Sequence, residues 1–124
     1  MDILKWYALH LDEGKVIEEK DPLTGINFQM RILYEDPQNG VSILFCRYPR
    51  GYVKPLHHHT FGQGLYVLNG KMFANDRVYE NGSFVWYPAG SVGTHGALSD
   101  SDCEFLAFSD GKGELIYDVK PEKE

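Results

Sequence analysis

Cysteine is nearly absent from this chain. Two in 124 residues cannot build a disulfide framework, and Cys46 and Cys103 are too far apart to form a CxxC pair. Their expected place is inside strands, as small apolar residues. No apolar run approaches the roughly twenty residues of a membrane span. The start, MDILKWYALHLDEGK, lacks the basic end, apolar stretch and small-residue cleavage site of a signal peptide. These absences predict a cytoplasmic protein with no membrane partner. Positive charge is also short: 12 Lys and Arg stand against 18 Asp and Glu, a net charge of −6. A nucleic-acid binder needs a basic face, so that class is excluded. No amphipathic helix, internal repeat or interdomain linker is visible. One domain over residues 1–124, long enough to bury a core, is the expected organisation.

Histidine is scarce as well, with five in the chain, and four of them fall in two short stretches. The first is Gly51 to Gly70, GYVKPLHHHTFGQGLYVLNG. Side chains two apart on an extended strand point to the same face. His57 and His59 therefore present two imidazoles side by side, and His58 faces the other way. Thr60, Phe61 and Gly62 reverse the chain, and Gln63 begins the returning strand. The second stretch, PAGSVGTHG, carries His95. Together they predict one divalent metal held by His57, His59 and His95. Gln63 is either a fourth ligand or a hydrogen-bonding residue of the pocket. With Gln at this position every ligand is neutral, so the metal keeps its full charge and favours an anionic partner. His10 has no sequence partner and is read as unremarkable.

The rest of the chain reads as short strands between turns. Trp6–Leu11 is an expected strand, and the polar stretch from Leu11 to Gly25 an expected surface excursion. Strands follow at Asn27–Tyr34 and Val41–Arg47, separated by the turn EDPQNG. The histidine strand and Leu65–Leu68 are expected to pair as a hairpin. Lys71–Ala74 and Arg77–Tyr79 flank an Asn75-Asp76 turn. Ser83–Tyr87, SFVWY, is a continuous apolar run and predicts a strand buried on both faces. His95 opens or precedes another strand. Cys103–Phe108 and Leu115–Tyr117 complete the set, and 118–124 is an expected frayed tail. Regularly spaced short strands predict an all-β sandwich or barrel. Arg31, Arg47 and Arg77 are conceivable anion holders, and Glu104 and Tyr66 conceivable proton-transfer groups, on residue type alone. No catalytic residue is assigned.

Gly51, His57, His59, Gln63 and Gly70 reproduce the spacing of the first motif of the cupin superfamily, with Gln63 where that motif usually has Glu. Gly82, Pro88, Gly90 and His95 resemble the second motif, with about two extra residues before the histidine. The motifs cover 51–70 and 82–96. The resemblance implies a double-stranded β-helix, or jelly roll, and a homodimer built through an N-terminal strand, for which Trp6–Leu11 is the candidate. The segment GSFVWYPAGSVGTH is similar to small three-histidine dioxygenases of the acetylacetone-cleaving and dihydroxyacetophenone types. That similarity implies iron(II), with zinc, nickel or manganese as other occupants, and a small enolisable ketone as substrate. Small cupins acting on uronates carry His, His, Gln and His at the matching positions. They imply instead a Lewis-acid isomerase or lyase on a sugar acid. Cupin domains of zinc-binding anti-sigma factors also resemble the PAGS…H segment and imply a non-enzymatic metal- or ligand-binding module. They usually keep the Glu and carry a helical domain not seen in this sequence, which places that reading third.

Overall fold

The computed structural model describes residues 10–118, and it is built of eleven strands in two antiparallel sheets. The strands are β1 (Lys15–Lys20), β2 (Asn27–Glu35), β3 (Val41–Tyr48), β4 (Val53–His59), β5 (Gln63–Asn69) and β6 (Met72–Ala74). They continue with β7 (Arg77–Tyr79), β8 (Phe84–Tyr87), β9 (Gly93–Ala97), β10 (Cys103–Asp110) and β11 (Leu115–Tyr117). One sheet runs β1-β2-β3-β10-β5-β8, the other β11-β4-β9-β6-β7. This is the jelly roll expected of the sequence. The core is closed by Phe28, Tyr48, Tyr52, Leu65, Val67, Met72 and Phe105. Cys46 and Cys103 are free thiols buried in it, as their strand positions predict. Among the described residues no helix is long and apolar enough to cross a membrane.

The turn chemistry explains where the chain reverses. The four motif glycines, Gly51, Gly70, Gly82 and Gly90, all take φ near +80 to +90°, a region closed to most side chains. Asn75, at φ 57°, makes the tight β6–β7 hairpin, and its side chain accepts from the Thr94 amide at 3.0 Å. The cupin spacing is thus a record of left-handed turns.

Several expectations are corrected. Of Trp6–Leu11, residues 6–9 lie outside the described residues. His10 instead caps a single 3-10 turn, Leu11–Glu13: its Nδ1 accepts from the Asp12 amide and its own amide donates to the Glu13 carboxylate. The polar stretch contains a strand, β1, paired over its whole length with β2. Among the described residues KVIEEK forms the edge of its sheet, and it is exposed except for half-buried Ile17. Long charged side chains suit such an edge, since they oppose pairing with another chain. The histidine strand and the next one are not a hairpin. β4 pairs with β9 and β11 in one sheet, β5 with β10 and β8 in the other, and 60–62 carry the chain across. β8 is an edge strand, so SFVWY is not buried on both faces. Phe84 is 57% and Trp86 45% exposed. His95 sits in the middle of β9 and does not open it. Asp118 is not frayed: its amide bonds the Leu56 carbonyl at 2.8 Å, and its carboxylate faces His58 Nδ1 at 2.8 Å. Residues 119–124 lie outside the described residues.

A buried carboxylate ties the β1–β2 connection to the core. Asp21 accepts from Tyr52 Oη at 2.5 Å and from the amides of Leu23 and Thr24. Burial alone would raise its proton affinity. The three hydrogen bonds and the charge of Lys54 outweigh it and hold the carboxyl below its ordinary value. A group lowered in the folded state stabilises above its ordinary titration range, and that stabilisation fades as pH falls through the lowered value. Urea midpoints should therefore drop below roughly pH 4. Asp21→Asn should flatten that acid limb, and equal slopes in both proteins would refute the assignment.

Candidate functional site

The site is built by β4, β5 and β9. Pro55 lies inside β4 and offers no amide hydrogen, so the β4–β9 ladder is interrupted between Lys54 and His57. The irregularity shifts the alternation by one residue. Lys54, His57 and His59 consequently all face inward, and each is buried. β11 covers the outer edge of this strand, pairing Leu115, Ile116 and Tyr117 with His59, His58 and His57. His58 turns away to Asp118, as the strand alternation predicts.

His57, His59 and His95 come together. The His57 ring lies 5.2 Å from His59 and 5.0 Å from His95, centroid to centroid, edge-on to both. Two imidazoles sharing one ion through nitrogens at ~2.1 Å stand about 5 Å apart in this way. The hydrogen bonds define which nitrogens are free. His57 Nδ1 lies 2.7 Å from the Pro55 carbonyl, which can only accept, so Nδ1 carries the proton and Nε2 the lone pair. His95 Nδ1 lies 3.2 Å from Tyr48 Oη, and the two rings stack at 5.6 Å. Four buried polar atoms have no partner among the described residues: both ring nitrogens of His59, Nε2 of His95 and Oε1 of Gln63. Buried polar atoms left unpaired are costly, and such a group at one place, with at least one imidazole lone pair in it, fits a site that takes an added ligand. Among the described residues, no three His, Cys, Asp or Glu side chains meet the geometry of a preformed metal site. The donors fit a metal by ring spacing, free lone pairs and type.

Burial makes all three imidazoles weak bases. His59 is brought down to about 4, and His57 and His95 are lowered in the same direction, helped by their mutual repulsion and by Lys54. The Gln63 amide is near enough to His59 to favour its charged form slightly, without completing a hydrogen bond. At neutral pH the rings are uncharged, which is the form that ligates metal.

A cavity of about 530 Å³ opens beside these rings, between the two sheets. His59, His95, Gln63 and Lys54 supply its inner polar groups, and most of the remaining wall is apolar, including Met30, Leu44, Phe61, Leu65, Phe105 and Phe108. Glu19, Lys20 and Pro22 are exposed and mark its mouth. His57 is not part of this wall and reaches the group through its neighbours' rings.

The other candidates do not reach the cavity. Glu104 is held by Arg47 at 2.5 Å and by Asn69 at 3.2 Å on the surface. Tyr66 faces outward. Arg31 donates to the Asp12 carbonyl, and Arg77 lies over the Tyr79 ring. Two residues missed from the sequence are Tyr48, which holds His95, and Lys54. The signal for Lys54 was Pro55, a strand interruption that reverses the facing of everything before it.

The fold is that of the cupin superfamily. The sequence pattern of the ChrR cupin-like domain matches residues 16–112, and the chain belongs to that family. It is similar to the DNA damage-repair/toleration protein DRT102 of Arabidopsis thaliana, at 33% identity over 95 residues. That match covers 72% of this chain but 29% of the relative, so the chain spans less than a third of that protein. Among solved structures, a cupin-like protein of Thermotoga maritima superposes with a TM-score of 0.66 at 25% identity, covering 76% of this chain and 79% of that one. The polyketide cyclase RemF of Streptomyces resistomycificus superposes with a TM-score of 0.77 at 16% identity, covering 95% and 89%. At that identity the likeness is one of fold.

Proposed function

We propose that this protein is a metal-dependent enzyme, a non-haem iron(II) dioxygenase acting on a small enolisable ketone. The observation that carries the reading is the unpartnered, uncharged donor group of His59, His95 and Gln63 at the end of an apolar cavity, with the His57 ring beside it. Those residues would hold the ion, and when bound it would supply a Lewis-acidic, oxygen-reactive centre whose charge no protein carboxylate offsets. An enolate brings the missing negative charge with it. Phe61, 4.7 Å from the His59 ring, Leu65 and Phe105 keep water from the donors and leave room for an apolar substrate. The same lining argues against the Lewis-acid isomerase or lyase on a sugar acid, because a polyhydroxylated ligand would bury hydroxyls against phenyl and alkyl groups. Membership of the ChrR cupin-like family supports the non-enzymatic module as the second reading.

The test is elemental analysis of protein purified without tag or chelator, then oxygen-electrode traces with iron(II)-reconstituted protein and β-diketones. Iron with substrate-dependent oxygen uptake is expected. Tightly held zinc with no uptake across the panel would overturn the dioxygenase and favour the binding module. Within this reading Tyr48 is a positioning residue. It holds the His95 ring through Nδ1 and leaves Nε2 free of protein partners among the described residues, so Tyr48→Phe should weaken metal affinity roughly 10–100-fold. Unaltered affinity by calorimetry would exclude that role.

A further inference from the structure

We propose that Lys54 and Tyr117 form an anion-binding end of the cavity, so that its ligand is an apolar molecule carrying a single carboxylate. The inference deepens the substrate reading above by naming the ligand class, and it depends on the cavity rather than on the metal.

Lys54 is only 7% exposed, although nothing in a β-strand sequence favours burying a lysine. The break at Pro55 aims it inward. Its Nζ rests over the Phe28 ring at 4.8 Å and the Tyr117 ring at 5.5 Å, and it donates to Tyr117 Oη at 3.3 Å. An ammonium has three donors, and this bond uses one. Among the described residues no carboxylate oxygen lies within 4.0 Å of Nζ. The two carboxylates whose fields reach it are Asp21 and Glu19. Asp21 is already committed to Tyr52 and two backbone amides, and Glu19 is solvated at the mouth. A buried cation with aromatic faces below it and donors to spare is half of an ion pair. Lys54 and Tyr117 both line the cavity, so the other half can arrive with a ligand. Phe28 lies under Nζ, and Met30 and Leu44 are among the cavity's apolar lining, which accepts an apolar body and offers a second anionic group nothing. One carboxylate is what the chemistry accommodates.

The experiment uses metal-free protein, so that a carboxylate cannot report by ligating metal. Hexanoate and 3-phenylpropionate are titrated calorimetrically beside their neutral amides, hexanamide and 3-phenylpropionamide. Each acid should bind roughly tenfold or more tightly than its amide. Lys54→Met should abolish the preference, Lys54→Arg should retain part of it, and Lys20→Met, at the mouth, should leave it intact. Tyr117→Phe should reduce it, which keeps the proposal testable if Lys54→Met does not fold. Equal binding of acid and amide by the natural protein, no binding of either at millimolar concentration, or a preference lost in Lys20→Met but kept in Lys54→Met would each overturn it. Failure of oxygen uptake leaves these titrations unaffected, so the two readings fail separately.

Discussion

Replacing His95 with alanine is expected to remove stoichiometric binding of a divalent metal, lowering affinity by roughly 100-fold or more. His95 is the most enclosed of the three imidazoles. Tyr48 holds it from behind, and the Phe105 ring lies 6.3 Å away. Its Nε2 has no partner among the described residues, so deleting the ring removes a donor that none of them replaces. His59→Ala and His57→Ala should act in the same direction. His58→Ala should not, because His58 is turned to Asp118 on the other side of β4. Metal content after gel filtration, with circular dichroism to show folding, reads the difference. Full metal occupancy in both His57→Ala and His95→Ala would remove the site assignment altogether.

Gly96→Ala should be the most damaging single-methyl change next to the site. A Cβ at Gly96 would lie 2.3 Å from the Tyr52 carbonyl oxygen and 2.6 Å from Val53 Cα. Both are backbone atoms of the facing chain, and Gly96 is register partner to Val53 on one side and Phe73 on the other. No side chain can swing away to make room, so β9 must part from β4. Overpacking of this kind costs about 1–3 kcal/mol, and backbone obstruction places this case at the upper end. For a domain of this size each kcal/mol lowers the Tm by roughly 4 °C. Separating β9 from β4 also pulls His95 from His57, so metal affinity should fall with stability. Thermal denaturation of the metal-free variant isolates the packing effect, and a Tm within a degree of the natural protein would contradict the close β4–β9 approach.

The jelly roll and most of the metal-site candidates were legible before any coordinates, for a local reason. Left-handed turns demand glycine or asparagine at fixed places, and side chains two apart on a strand share a face. Gly51, Gly70, Gly82 and Gly90 therefore punctuate the chain visibly, and His57 and His59 announce a common direction. The free thiols, the outward turn of His58 and the outward face of Tyr66 follow from the same local rules. What went astray depended on neighbours that local rules do not name. KVIEEK is a strand because β2 supplies a full register of partners, although its own residues favour no buried face. SFVWY turns Phe84 and Trp86 to solvent while Tyr87 is buried, and among the described residues β8 stands at the edge of its sheet. The histidine strand and its successor separate into different sheets because each finds its partners among strands distant in sequence.

Local pattern thus determined which residues turn, which extend, and which imidazoles share a face. Tertiary structure alone decided that His95 meets His57 and that Tyr48 stands behind it. Both facts are contacts between strands far apart in the chain. Such contacts depend on sheet order, which is not a property of any short stretch of sequence, whereas the inward turn of Lys54 combines the local break at Pro55 with the cavity that the sheets enclose.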